Sequence, residues 1–226
     1  MRIDPGRGAG APGSEQEIRG IMEPKVLIVT GFAGSGKGTV FKLAKELYPR
    51  LKLSVSMTTR KPRPGEIDGV HYYFVTREEF LQTISENGFF EHTEYCGNFY
   101  GTPKKQLFQM IEEGFVPVLE IETEGGLNAM RELDSYASIF LSPPDYKTLE
   151  ERLRGRGTET EESIQKRLST AKEELGVIPH YQTLLVNYDG KAEDCARAMV
   201  DIAKGVKSEN PAIICDKEAF IENFLK

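Results

Sequence analysis

From Pro24 to about Gly205, short apolar runs alternate with stretches whose apolar residues recur every three or four positions, the pattern of parallel strands joined by helices. Val26 to Val29 is an unbroken β-branched and Leu run, as a central strand buried on both faces requires, and Val40, Leu43, Ala44 and Leu47 follow at helical spacing. Strands are expected at 26–30, 53–56, 116–121, 138–141 and 184–187, and helices at 39–48, 78–86, 104–113, 145–154, 161–175 and 192–204. The fold class is therefore α/β, a parallel sheet flanked by helices. Between Ser54 and Gly101 the alternation breaks into Pro, Gly and aromatic residues, with 71–75 reading as a strand, so this segment is expected to form an inserted lobe. Beyond Gly205 a polar link reaches Asp216, an N-cap for a short amphipathic helix ending at Lys226. Residues 1–22 are Gly, Pro, Ala and charge with nothing to bury; they read as a flexible leader, with Met22 a candidate initiator.

The first strand and helix are joined by a glycine-rich loop, Gly31-Phe32-Ala33-Gly34-Ser35-Gly36-Lys37-Gly38-Thr39. Glycines let the backbone approach an anion, the amide N–H groups and the helix dipole face phosphate oxygens, and Lys37 supplies a full charge. This is a cradle for a nucleoside triphosphate. Where the usual loop has Ser or Thr after Lys, contributing a hydroxyl to magnesium, this chain has Gly38, with Thr39 one position later. That form is similar to the loop of adenylate kinases and implies a metal held by nucleotide oxygens and water.

With 226 residues and 39% hydrophobic content, the chain suits one domain with insertions. No run of eighteen apolar residues and no signal-peptide core occur, so the expectation is a cytoplasmic protein without a membrane association. A net charge of −6 argues against a broad nucleic-acid footprint. Cys96, Cys195 and Cys215 lack paired metal-ligand spacing and read as free thiols.

A second anion site is suggested by Ser54 to Phe74, where Ser56, Arg60, Arg63 and paired tyrosines sit in a stretch stiffened by Pro and Gly. Guanidinium forks grip phosphate bidentately and stay charged. Glu91, Tyr100 and Thr102 add a carboxylate, a phenol and a hydroxyl to the same lobe. Glu120 and Glu122 end an otherwise apolar strand on one face, where open α/β sheets bind ligands. Arg152, Arg154, Arg156 and Arg167 flank Gly155 and Gly157, as in a hinged lid.

The loop together with SVSMTTRKPRPGE, GVHYYF, GNFYGTP, LEIE and RLRGRGTETEESIQKRL, in this order and spacing, resembles guanylate kinase over residues 25–204. The resemblance implies a P-loop nucleoside monophosphate kinase fold over 23–205, with a mixed α/β GMP-binding lobe at about 54–105, a helical lid at about 145–170, and a C-terminal extension at 206–226. It implies transfer of the ATP γ-phosphoryl group to GMP or dGMP, with Mg2+ (magnesium) accompanying ATP. By position it assigns residues 31–39 and Asn187 to ATP. Ser56, Arg60, Arg63, Glu66, Tyr72, Glu91, Tyr100, Thr102 and Glu120 are assigned to GMP, with Glu91, Ser56 and Thr102 reading the guanine. Lys37, Arg60, Arg152, Arg156 and Arg167 are assigned to catalysis, and Glu122 to the metal's water shell without direct ligation. The chain differs from the family at Glu122-Thr123-Glu124, where Asp-x-Gln is common, and His71 and His92 stand in place of Asp and Trp. Two rival readings are a non-catalytic phosphopeptide-binding module and a relaxed nucleoside monophosphate kinase; Lys37 and the lid arginines favour an enzyme. The tail helix packs on the core or bridges subunits of a homo-oligomer.

Overall fold

In the computed structural model, which describes residues 24–95, 97–155, 157, 160–214 and 216–226, the run Val26–Gly31 is the central strand β1. It is followed by α1 (Lys37–Leu47), β2 (Leu51–Leu53), β3 (Met57–Thr58), β4 (Tyr73–Phe74), α2 (Arg77–Ser85), β5 (Phe89–Tyr95), β6 (Asn98–Pro103) and α3 (Lys104–Glu112). Then come β7 (Val116–Glu120), α4 (Thr123–Glu132), β8 (Tyr136–Ser142), α5 (Tyr146–Gly155), α6 (Glu161–Glu174), a 3-10 helix (Leu175–His180), β9 (Thr183–Val186), α7 (Ala192–Ala203), β10 (Ile213–Ile214) and α8 (Lys217–Phe224).

The main sheet runs β10-β9-β8-β1-β7-β2, parallel throughout except that β10 joins its edge antiparallel. Period-two alternation sends Leu27 and Val29 of β1 into a core with α1 and α7, and Val26 and Ile28 into a second core with α3 and α4. A third cluster, built on Phe32 and Phe140, receives α5, α6, the 3-10 helix and α8. The expected inserted lobe is a four-stranded sheet, β4-β3-β6-β5, with Phe80 of α2 stacked on Phe89 and Phe99. Both main-sheet faces are thus covered, and the loops at the C-terminal ends of β1 and β7 stay open beside the lobe. No described helix is long and apolar enough to cross a membrane.

Most expected elements sit within two residues of their observed bounds; two expected strands differ, and α4, β5, β6 and β10 are elements that the pattern does not predict. The strand expected at 53–56 divides into the end of β2 and the start of the lobe at β3. The strand expected at 71–75 shrinks to Tyr73–Phe74, because the chain is turning through positive-φ Gly69 just before it. Helix α4 was not expected, since Gly125-Gly126 weakens the helical pattern. Both glycines are buried there because other side chains press on the helix. The C-terminal helix is capped by Asp216, whose Oδ1 accepts the Ala219 N–H at 2.9 Å, as the sequence predicts. Residues 1–22, Cys96, Arg156 and Cys215 lie outside the described residues; Cys195 is free and buried.

Candidate active site

The glycine-rich loop leaves β1 at Gly31 and enters α1 at Lys37, so its amides open at a helix N-terminus. Gly36, at φ +93°, is the residue before the helix; a Cβ there would lie 2.6 Å from Asn187 Nδ2. That closeness exists because Asn187 Nδ2 donates to the Ser35 carbonyl at 2.9 Å. Asn187 is 6% exposed and braces the loop from below, outside the set of residues that line the loop cleft. Lys37 Nζ donates to the Gly31 carbonyl at 2.7 Å and the Phe32 carbonyl at 3.3 Å. The loop opens into a cleft of 860 Å³ lined by Gly31, Ala33, Gly34, Gly36, Lys37, Gly38 and Thr39. Phe32 and Ser35, assigned to ATP from the sequence, are fully buried beneath it.

Across the junction a second cleft, of 690 Å³, is lined by Ser56, Tyr72, Glu91, Tyr100 and Glu120. The carboxylate in it is aimed by a β-bulge. Phe89 pairs with Pro103 and His92 with Gly101, so Phe90 and Glu91 together face Thr102. Phe90 enters the core while Glu91 turns to the cleft and accepts the Thr102 hydroxyl at 2.7 Å. Thr102 is fully buried and its hydroxyl is committed to Glu91, behind the residues that line the cleft. Gly125 of α4 leaves the space that Glu91 occupies: a Cβ there would come within 2.9 Å of Glu91 Cγ. Burial pushes the Glu91 carboxyl up from its ordinary value, while the Thr102 hydroxyl and His92 draw it back down. Ligand N–H donors facing it would restore the charged form.

Arg60 stands behind Tyr72, its guanidinium 5.4 Å from that ring's centre. Glu66 grips it fork to fork, Nη1 to Oε2 and Nη2 to Oε1 at 2.8 Å each, and the Arg63 N–H adds a bond to Glu66 Oε2 at 2.7 Å. The Arg60 bonds first, then the Arg63 amide, lower the Glu66 carboxyl to about 2. Glu66 thus holds Arg60, and the Arg63 backbone joins in this. Neither arginine lines the cleft in this conformation.

Lys37, Glu120 and Glu122 line both clefts and therefore form the wall between them. Glu122 is the N-cap of α4, so the shared face expected along a strand arises instead from a strand end followed by a helix start. Arg167 reaches the loop cleft from α6 with Ser163, Lys166, Thr170 and Glu174. Arg152 does not: its Nη2 donates to the Asn187 carbonyl at 2.8 Å and pairs with Asp189 at 2.6 Å. Arg154 is held by Glu150 and Glu161.

Glu174 is one of the cleft-lining residues that sequence reasoning missed. It accepts the Thr123 hydroxyl at 3.3 Å, and burial, reinforced by Glu122 and opposed by Lys37, pushes it up to about 7. Its signal was present: it follows Arg167 by seven residues and Thr170 by four, on one face of a helix. For magnesium the donor set fits water-mediated holding. Gly38 offers no hydroxyl, Glu120 and Glu122 face the junction, and among the described residues no three acidic, His or Cys side chains cluster as direct ligands.

A sequence model of a protein family, described as Guanylate kinase, matches residues 23–201. The chain belongs to the guanylate kinase family. A guanylate kinase of Synechococcus sp. (strain CC9311) is 45% identical over 169 residues, covering 75% of this chain and 88% of its own. One from Desulfitobacterium hafniense (strain Y51) is 44% identical over 162 residues, covering 72% of this chain and 81% of its own. The crystal structure of guanylate kinase from Anaplasma phagocytophilum aligns with a TM-score of 0.57 at 30% identity, covering 86% of this chain and 92% of that one. The match to the guanylate kinase family takes in every position assigned from the sequence, from Gly31 to Asn187, and stops short of the last 25 residues.

Proposed function

We propose that this guanylate kinase transfers the γ-phosphoryl group of ATP to GMP, and to dGMP, which carries the same base, giving ADP and GDP or dGDP. The observation that carries the reading is the shared wall: Lys37, Glu120 and Glu122 line both the loop cleft and the lobe cleft, so two ligands would meet there end to end. ATP takes the loop, with its phosphates on the amides and Lys37. GMP takes the lobe, with its base toward Glu91.

Guanine presents N1–H and N2–H₂ donors that suit a carboxylate; adenine presents no such pair, so Glu91 would be stranded against it. A pocket that reads hydrogen bonds in this way can reject the wrong base by about 10⁴-fold. The GMP phosphate is already an anionic nucleophile at neutral pH, so no general base is needed. The obstacle is repulsion between two polyanions, and the protein's task is to neutralise charge, align the reactants and exclude water. Lys37 and Arg167, which line the loop cleft, serve the donor phosphates, and Arg60, set by Glu66, serves the acceptor phosphate once the lobe closes. Glu122 would hold magnesium through its water shell, and the bound ion would neutralise charge on the donor oxygens. Arg152 and Arg156 join as the lid closes, which requires Arg152 to leave Asp189.

The test is ADP release from magnesium ATP offered GMP, dGMP, AMP, UMP or CMP. Turnover confined to the guanine nucleotides is expected. Comparable turnover with AMP would refute the base pocket, and no turnover with any acceptor would leave a binding module.

A further inference from the structure

Residues 202–226 lie beyond the part of the chain that the family model matches, yet they end directly beneath the phosphate loop. The link past α7 returns to the sheet, where the Val186 N–H donates to the Ala212 carbonyl at 2.8 Å and β10 pairs antiparallel with β9. Asp216 then starts α8, Lys217 donates to the Tyr181 carbonyl, and the helix delivers Phe224, 1% exposed, to the aromatic cluster under the loop. The Phe224 ring lies 5.0 Å from that of Phe32, and Phe140 lies 5.0 Å away on another side.

Phe32 is a residue of the loop itself. Its side chain is fully buried, and its carbonyl accepts both the Ser35 N–H, at 3.0 Å, and Lys37 Nζ, at 3.3 Å. The ring therefore anchors a backbone group that seats the phosphate-binding lysine. A glycine-rich loop loses much conformational entropy when it orders around an anion, and an apolar anchor that orders it beforehand lowers that penalty.

We propose that the C-terminal extension is a working part of the donor-nucleotide site, with Phe224 a positioning residue that holds Phe32, and through it the loop and Lys37, in the ATP-binding shape. This rests on the reading of the loop as the ATP site.

Phe224→Ala removes the anchor, and Phe224→Leu keeps most of its apolar volume. With magnesium ATP titrated calorimetrically and steady-state kinetics run well below each melting midpoint, the Ala variant should bind ATP about tenfold more weakly and Leu about two- to threefold, while KM for GMP changes by less than about twofold. A purely structural role would lower the melting temperature and the active fraction yet leave ATP affinity unchanged; that result, in either folded variant, overturns the proposal. Equal losses for ATP and GMP overturn it as well. Should Phe224→Ala fail to fold, Phe224→Leu alone decides, unchanged ATP binding refuting the anchor. Failure of the unsubstituted protein to bind ATP would instead refute the reading of the loop.

Discussion

Thr102→Val probes whether Glu91, the carboxylate proposed to face guanine, is set from behind. The hydroxyl of fully buried Thr102 donates to Glu91 Oε1 at 2.7 Å, and valine keeps the branched shape while deleting that donor. A hydrogen bond to a charged group contributes about 1.5–3 kcal/mol. Glu91 keeps its opening to the cleft, so water replaces part of the loss and the lower end of that range applies. About 1.4 kcal/mol is tenfold, so KM for GMP should rise about tenfold at neutral pH, with KM for ATP unchanged. The pH dependence separates positioning from direct contact with the base. Burial already raises the Glu91 pKa, and the Thr102 bond opposes that rise. Without the hydroxyl the carboxyl protonates more readily, so the acid limb of kcat/KM for GMP should move to higher pH. A direct contact between Thr102 and guanine would raise KM and leave that limb in place. An unmoved limb, or an unchanged KM, refutes the reasoning.

Arg167→Ala should lower kcat by about 10³-fold, the lower range for an arginine facing a transferring phosphoryl group, with circular dichroism melts unchanged. Retained turnover would remove Arg167 from the donor site. Glu174→Gln addresses the carboxyl raised to about 7 from 4.5: the native state holds this proton more tightly than the unfolded chain, so its ionisation lowers stability as pH rises through that window. In nucleotide-free protein the variant should match the parent near pH 4.5 and exceed it above pH 7, by about 1–2 kcal/mol after allowing for partial exposure. Thermal melts giving the same difference at both pH values would refute the assignment.

What the sequence determined by itself was whatever is written in local pattern. The buried run at Val26 to Val29, the glycine spacing before Lys37 and the Asp216 cap each depend on neighbours in the chain, and each stands in the structure where expected. Tertiary structure decided what each polar side chain faces, because that depends on groups far away along the chain. Glu66 fills its fork with Arg60, and the Asn187 amide lies on the Ser35 carbonyl, 152 residues away in sequence. Thr102 could be placed behind Glu91 only once the bulge set two residues against one. The helix through Gly125-Gly126 defied its own propensity because Glu91 and the Tyr181 hydroxyl take up the space that side chains would need. The tail's amphipathic helix was visible as a helix, but its destination under Phe32 was not, since an apolar face specifies burial without specifying a partner.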